Sequence, residues 1–354
     1  MGETKKQKTV FVGLSGGVDS SVAAYRLIQE GYKVVGVFIK VWHPDFLECN
    51  WEEERLDAMR AAAHLKIPFL TCNAEQEYKQ EVGEYFVNEY LAGRTPNPDV
   101  MCNQHVKFGA FLRFALENGA DYIATGHYAR VQTEDNQVKL LRGVDEKKDQ
   151  TYFLWTLTQE ELKHVLFPVG DTPKEEIREE AVKAGLKTAT KKDSQGICFL
   201  GHVDIPQFLS HFTDLKSGMV LDKDGNEIGE HQGALVYTLG QRHGFTLTNE
   251  NSEREKLFVV AKNLENNTIT VDTKPPKAKD EAIKLESVNW ITNPPKNMKC
   301  EASFRYRQTS VPVSLIEKDG DWEIVPEMQI DQPACGQSCV LYAGDECLGG
   351  GIIS

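Results

Sequence analysis

The chain has 354 residues, 40% of them apolar, with 40 Lys plus Arg against 53 Asp plus Glu and a net charge of −13. That length exceeds one ordinary core and predicts two or three domains, while the acidic balance argues against indiscriminate nucleic-acid binding but leaves room for a local basic surface within a Debye length of about 8 Å. No apolar run is long enough to span a bilayer, and the opening MGETKKQKTV lacks the apolar core of a signal peptide, so a cytoplasmic protein whose cysteines are thiols is expected.

The first element is the most informative. Val10, Phe11, Val12 and Leu14 suit a buried strand, Ser15, Gly16 and Gly17 make a tight turn, and Val22, Ala23, Ala24, Leu27 and Ile28 recur at helical spacing. A strand that runs through small residues into a helix presents uncovered N–H groups and a positive dipole end, which is a site for phosphate. The segment lacks the Gly-Lys-Ser/Thr ending of a Walker A loop and is not a G-x-G-x-x-G either. Next come a strand at Lys33 to Trp42, a helix at Glu52 to Leu65, a strand at Ile67 to Cys72 and a helix at Glu77 to Leu91. Gly93 to Gln104, GRTPNPDVMCNQ, reads as a loop because of its prolines and asparagines. A helix at Val106 to Leu116 and a strand at Asp121 to Thr125 come after it, the strand ending in Gly126-His127-Tyr128. Strands alternating with helices predict an α/β, doubly wound parallel sheet with its ligands outside the carboxyl ends of the strands.

Further on, Gln137 to Arg142 is a strand seeking a partner, Pro173 to Gly185 is a helix with proline in its first turn, and KKDSQGICFLG at Lys191 to Gly201 is a loop or short strand. Cys102 and Cys198 stand 96 residues apart, each in a segment read as a polar loop. From about Phe208 glycine-punctuated short segments predict a small connecting domain. Six strands, Lys284 to Trp290, Lys299 to Arg307, Val311 to Glu317, Trp322 to Val325, Ser338 to Tyr342 and Glu346 to Ile353, predict a C-terminal β-barrel. The expected domains are 1–207, 208–277 and 278–354. Cys300, Cys335, Cys339 and Cys347 lie in the barrel without a C-x2-C knuckle, so zinc is not the favoured reading there.

Ser15 to Ser20, SGGVDS, resembles the pyrophosphate loop (PP-loop) of the ATP-pyrophosphatase group, of the adenine-nucleotide-α-hydrolase type. GRTPNPDVMCN, TGHYAR, KDQTYFL, KKDSQGICFLG, YTLGQR and CLGGGII then match, in order, segments of the tRNA-specific 2-thiouridylase family (MnmA type) through almost the whole chain. Ile39 and Val41 stand where that pattern has methionine and asparagine.

The resemblance implies an ATP-dependent sulfurtransferase that adenylates the C2 oxygen of the wobble uridine of tRNA and replaces it with sulfur, releasing AMP and pyrophosphate. ATP, with Mg²⁺, would be held by Gly13, Leu14, Ser15, Gly16, Gly17, Val18, Asp19, Ser20, Ile39 and Gly126. Asp19 would help hold the metal. Cys198 would carry a persulfide, Cys102 would free its sulfur or form a disulfide with Cys198, and Asp99 would act as general acid or base. Contacts to the tRNA anticodon stem-loop would come from Asn97, Pro98, Asp99, His127, Lys148, Asp149, Gln150, Arg305, Tyr306 and Gln337. An upstream persulfide donor, such as a cysteine desulfurase or sulfur-relay protein, is the implied protein partner. Three alternatives stay open: another adenylating tRNA-modifying enzyme on the same loop, an iron–sulfur cluster on Cys102, Cys198 and a third ligand, and a non-catalytic ATP- and RNA-binding module.

Overall fold

The computed structural model describes residues 7–47, 51–191, 204–248, 256–278 and 281–354. Cys198, Cys49 and all of KKDSQGICFLG after Lys191 lie outside the described residues.

The N-terminal part contains strands β1 (Thr9–Gly13), β2 (Lys33–Lys40), β3 (Phe69–Asn73), β4 (Tyr122–Ala124), β5 (Ala129–Glu134), β6 (Gln137–Arg142) and β7 (Val165–Leu166). Five of them form a parallel sheet in the order β3-β2-β1-β4-β7. Alternation along the strands sends side chains to two cores. Phe11, Val35, Val37 and Ile39 face one, shared with Val82, Val106 and Phe111. Val10, Val12, Val34 and Phe38 face the other, shared with helix α1 (Val18–Gln29), helix α2 (Trp51–Leu65) and the helix Lys174–Lys183. Helices on both faces make the sheet doubly wound, and its strand order reverses between β1 and β4, the position where sheets of this kind bind their ligands.

Strands β8 (Gly218–Leu221), β9 (Glu227–His231), β10 (Phe245–Leu247), β11 (Phe258–Asn263) and β12 (Thr268–Asp272) build a second sheet, ordered β10-β9-β8-β12-β11. Its core joins Val220, Tyr237 and Ile269 to Phe86 and Tyr90 of the N-terminal part. Strands β13 (Ile283–Trp290), β14 (Asn297–Ser303), β15 (Val311–Lys318), β16 (Asp321–Pro326), β17 (Ser338–Ala343) and β18 (Glu346–Ile353) form an antiparallel barrel that the β13–β18 pairing closes. The strand expected at Gln137 to Arg142 finds its partners in β5 and in β18, where Leu140 lies opposite Cys347, so the N-terminal hairpin extends the barrel's own sheet.

Two expectations are corrected. GRTPNPDVMCNQ is a loop only as far as Asn97. Pro98–Met101 is helical and runs straight into a wide-turned π-helical stretch, Cys102–Ala110. Proline suits the first helical position, and the Asn97 side chain accepts the Val100 N–H at 3.4 Å, so the residues that read as breakers are a helix start. The strand expected at Lys299 to Arg307 ends at Ser303, and Arg305-Tyr306-Arg307 forms the turn beyond it, with Arg307 at φ 60°.

Candidate functional site: a nucleotide crevice beside a buried cysteine

Gly17 occupies the N-cap of α1 and supplies no side-chain cap to the helix's first turn. The loop before it is held by its own hydroxyls. The Ser20 hydroxyl receives the Ser15 N–H at 3.3 Å, and the Ser21 hydroxyl donates to Gly17 O at 2.8 Å. Gly16 adopts φ 70°, and a Cβ there would stand 2.8 Å from Asp57 Cβ on α2, which fixes the turn as glycine. Gly126, just after β4, lies against the same first turn. A Cβ on it would stand 2.7 Å from Ser20 N and 2.9 Å from Asp19 Cβ. A helix first turn without a side-chain cap from its N-cap residue, flanked by glycines that keep side-chain bulk away, is the arrangement an anionic phosphate chain requires.

Asp19 is expected as a metal helper. The structure gives its carboxylate two partners that sequence reasoning missed. Lys174 Nζ lies 2.7 Å from both carboxylate oxygens, and the Tyr128 hydroxyl donates to Oδ1 at 2.8 Å. No cluster of three or more His, Cys, Asp or Glu fit to hold a metal occurs among the described residues. One carboxylate beside a phosphate cradle is still a donor set that suits Mg²⁺, which keeps most of its waters and takes its remaining ligands from the nucleotide.

Cys102 is fully buried, at the head of the π-helical stretch rather than in a polar loop. The cause is the helix start at Pro98, which turns the thiol toward the core that also holds Ile39 and Phe111. Those two side chains approach Gly13, at 3.7 and 3.5 Å from an ideal Cβ built on it, so the cysteine's helix abuts the carboxyl end of β1. Asn103 Nδ2 donates to Phe153 O at 3.0 Å and ties this helix to the KDQTYFL segment, while its buried Oδ1 finds no hydrogen-bond partner among the described residues. Wide π-turns inside helices concentrate at functional sites.

The segment ahead of Cys102 is bracketed from two sides. Thr95 N–H donates to Cys335 O at 2.8 Å, Gln337 Nε2 donates to Thr95 O at 3.1 Å, and the Thr95 and Thr238 hydroxyls lie 3.0 Å apart. The barrel and the middle sheet therefore both hold the backbone that leads to Asn97, Pro98 and Asp99. Arg305, Gln337, Tyr237, Thr238, Tyr90 and Asp204 line a cavity of about 610 Å³ at this junction. Arg305 Nη2 donates to Leu239 O at 2.9 Å within the YTLGQR segment.

The remaining expected RNA contacts divide. Lys148 lies half-buried in a turn, its N–H on Asp145 O. Asp149 accepts from Gly143 N, Thr151 N and Arg142, and Gln150 Oε1 accepts the Tyr128 N–H at 3.0 Å, so both shape the backbone here. Tyr306 packs on Phe153 with ring centroids 4.4 Å apart, and Arg142 reaches Ser310 at 2.7 Å, which brings the KDQ turn and the RYRQ turn onto one face. His127 is 8% exposed, with Nδ1 2.7 Å from the Thr125 hydroxyl and its ring between Phe108 and Phe167. Burial, with Lys107 nearby, pushes its imidazole well below the ordinary value, so it is neutral at neutral pH. In the barrel, burial pushes the Cys300 thiol up to about 11 and Cys347 up to about 12, so both are protonated at neutral pH.

Fold and site together define a PP-loop α/β nucleotide-binding protein carrying two β-domains that grip a cysteine-bearing helix. Residues 8–202 match the family model described as a tRNA methyl transferase HUP domain, residues 206–273 the tRNA methyl transferase PRC-barrel domain, and residues 280–353 the aminomethyltransferase beta-barrel domain. The tRNA-specific 2-thiouridylase MnmA of Lysinibacillus sphaericus is 46% identical over 100% of this chain and 96% of its own length. The protein of the same name from Listeria monocytogenes is 46% identical over 97% of this chain and 94% of its own. The chain belongs to the tRNA-specific 2-thiouridylase family. Among solved structures, the U34-tRNA thiolase NcsA of Methanococcus maripaludis aligns with a TM-score of 0.35 and 17% identity, covering 60% of this chain and 67% of that one.

Proposed function

We propose that the protein is an ATP-dependent tRNA sulfurtransferase that converts the wobble uridine to 2-thiouridine, a reaction that belongs in the cytoplasm with its tRNA. The observation that carries this reading is the glycine-walled first turn of α1 that follows β1, whose last residue, Gly13, meets Ile39 and Phe111 of the core that holds Cys102. Oxide is a poor leaving group at C2. If the C2 oxygen attacks the α-phosphorus of ATP, pyrophosphate leaves and the oxygen can then depart as AMP. Gly13 to Ser20 and Gly126 hold the phosphates, and Ile39 lies beside the adenine. Mg²⁺ would supply charge neutralisation at the phosphates, and Asp19 is the carboxylate that would hold it.

Cys198 bears the persulfide, donated by an upstream sulfur-carrying protein. The Cys102 thiolate attacks the sulfur bonded to Cys198 and expels hydrosulfide, which adds to C2 as AMP leaves. A Cys102–Cys198 disulfide remains, and an external thiol reduces it for the next cycle. Lys191 Nζ is 2.9 Å from Asp57, whose Cβ lies against Gly16 of the loop, and Asp204 lines the junction cavity. Asp99, in the first turn of the Pro98–Met101 helix, moves the proton to or from the base or the thiol, and Asn97 and Pro98 border the base. Lys148, Arg305 and Tyr306 form the tRNA-facing surface, while Asp149, Gln150, His127 and Gln337 shape it.

The family models carry a methyl-transfer description, yet methyl transfer consumes no ATP at a phosphate cradle. The test is pyrophosphate and AMP release measured with and without substrate tRNA. Release in equal amounts that depends on tRNA supports the proposal. No pyrophosphate with tRNA and ATP present contradicts it.

A further inference from the structure

The nucleotide loop has a partner in the helix Lys174–Lys183, which no motif in the chain announced. Lys174 is the first residue of that helix, its side chain is 9% exposed, and its ammonium stands 2.7 Å from both oxygens of Asp19 in the first turn of α1. We propose that Lys174 is a phosphate-binding residue of the nucleotide site, its ammonium leaving or sharing Asp19 to meet the β- and γ-phosphate oxygens of ATP and the departing pyrophosphate. This deepens the PP-loop reading and rests on it.

The plainer alternative is that the pair only fastens two helices together. That task is already performed elsewhere along the same contact. Arg26 of α1 reaches Glu180 at 2.6 Å, Pro168 O at 2.8 Å and the Thr172 hydroxyl at 2.9 Å, and Ile177 and Ala181 pack into the α1 core. A second, part-buried ion pair adds little net stability, because desolvation of the ions offsets much of their attraction. Its position is better explained by charge. A triphosphate brought to the α1 terminus meets the negative Asp19 at close range, and a cation between them removes the repulsion, a role open to the Lys174 ammonium already on that carboxylate as well as to the Mg²⁺ that Asp19 would hold. Lysine suits that role as a compact charge on a flexible stem, able to pass from one anion to another without the fixed fork that arginine imposes. Tyr128, whose hydroxyl also donates to Asp19, keeps a donor on the carboxylate when the ammonium moves.

The experiment is titration calorimetry of the full-length protein with ATP, pyrophosphate and AMP in the presence of Mg²⁺, for wild type, Lys174→Met and Lys174→Gln. Loss of charge-assisted bonds to phosphate predicts that ATP and pyrophosphate binding weaken roughly ten- to a hundredfold in both variants, while AMP binding changes less than about twofold. A variant that loses ATP and AMP by the same factor, or neither, overturns the assignment. Lys174→Gln retains an amide for Asp19, so the ATP-to-AMP ratio is read on it if the methionine variant does not fold. Should the wild type itself show no preference for ATP or pyrophosphate over AMP, the PP-loop reading fails together with this one. A wild-type preference that survives in both variants refutes Lys174 alone.

Discussion

The two halves of the site are built by different means. The phosphate cradle is made from backbone that is local in sequence, a strand end, two glycines and a helix start within a dozen residues, with Gly126 closing it from β4. The cysteine side is made by distance. Thr95, Asn97, Asp99 and Cys102 are set in place by the barrel through Cys335 and Gln337, by the middle sheet through Thr238, and by the KDQTYFL segment through Asn103. A cradle of this kind can bind nucleotide on its own, whereas the sulfur chemistry needs all three parts of the chain docked together. The comparison predicts that damage to the two halves separates.

The largest effect is expected at the thiols. Cys198→Ala and Cys102→Ser should each remove 2-thiouridine formation, a loss of roughly a thousandfold or more, while ATP affinity stays within about twofold. Nucleoside mass analysis and nucleotide titration check the two readouts; full thiolation by either variant breaks the relay. Gly126→Ala comes next, because its Cβ would stand 2.7 Å from Ser20 N, against backbone that cannot yield cheaply. ATP binding should weaken by about tenfold or more, whereas tRNA retention on a filter is preserved. Equal loss of both would show that the two halves are not separable.

Gln337→Ala tests the distant bracket. Removal of its donation to Thr95 O should lower the thiolation rate several-fold through about 1 kcal/mol of lost positioning, with ATP affinity unchanged. An unchanged rate would mean that Thr95 is held well enough by Cys335 and Thr238. The smallest effect belongs to Arg305→Ala, which should reduce the slope of log affinity for tRNA against log salt by about 0.7 to 0.9, one phosphate contact. An identical slope would assign the RNA surface to other residues.

Legibility in the sequence divides along the same line. Apolar runs and alternation place the parallel sheet and five of the six barrel strands close to where they lie, and SGGVDS marks the cradle, because each signal is local. Cys102 reads as a loop residue because Asn97 and Pro98 suit a loop and a helix start equally, and the burial that decides between the two comes from residues far along the chain. Lys174 and Tyr128 on Asp19 give no signal beyond their own positions, 155 and 109 residues away. Asp149 and Gln150 are expected from the resemblance as tRNA contacts, and no signal in the sequence indicates that their carboxylate and amide also engage neighbouring backbone. Long-range hydrogen bonds leave no periodic trace, so polar residues in turns are the ones whose roles sequence reading confuses.

The most direct measurement joins both halves in one flask. Purified protein is incubated with unmodified tRNA, Mg-ATP, a persulfide donor and a thiol reductant, and the digested nucleosides are weighed by mass spectrometry beside a count of AMP formed. The account predicts one sulfur in place of one oxygen at the wobble uridine for each AMP and pyrophosphate released. A uridine of unchanged mass with ATP consumed, or one carrying an added methyl group, would contradict it.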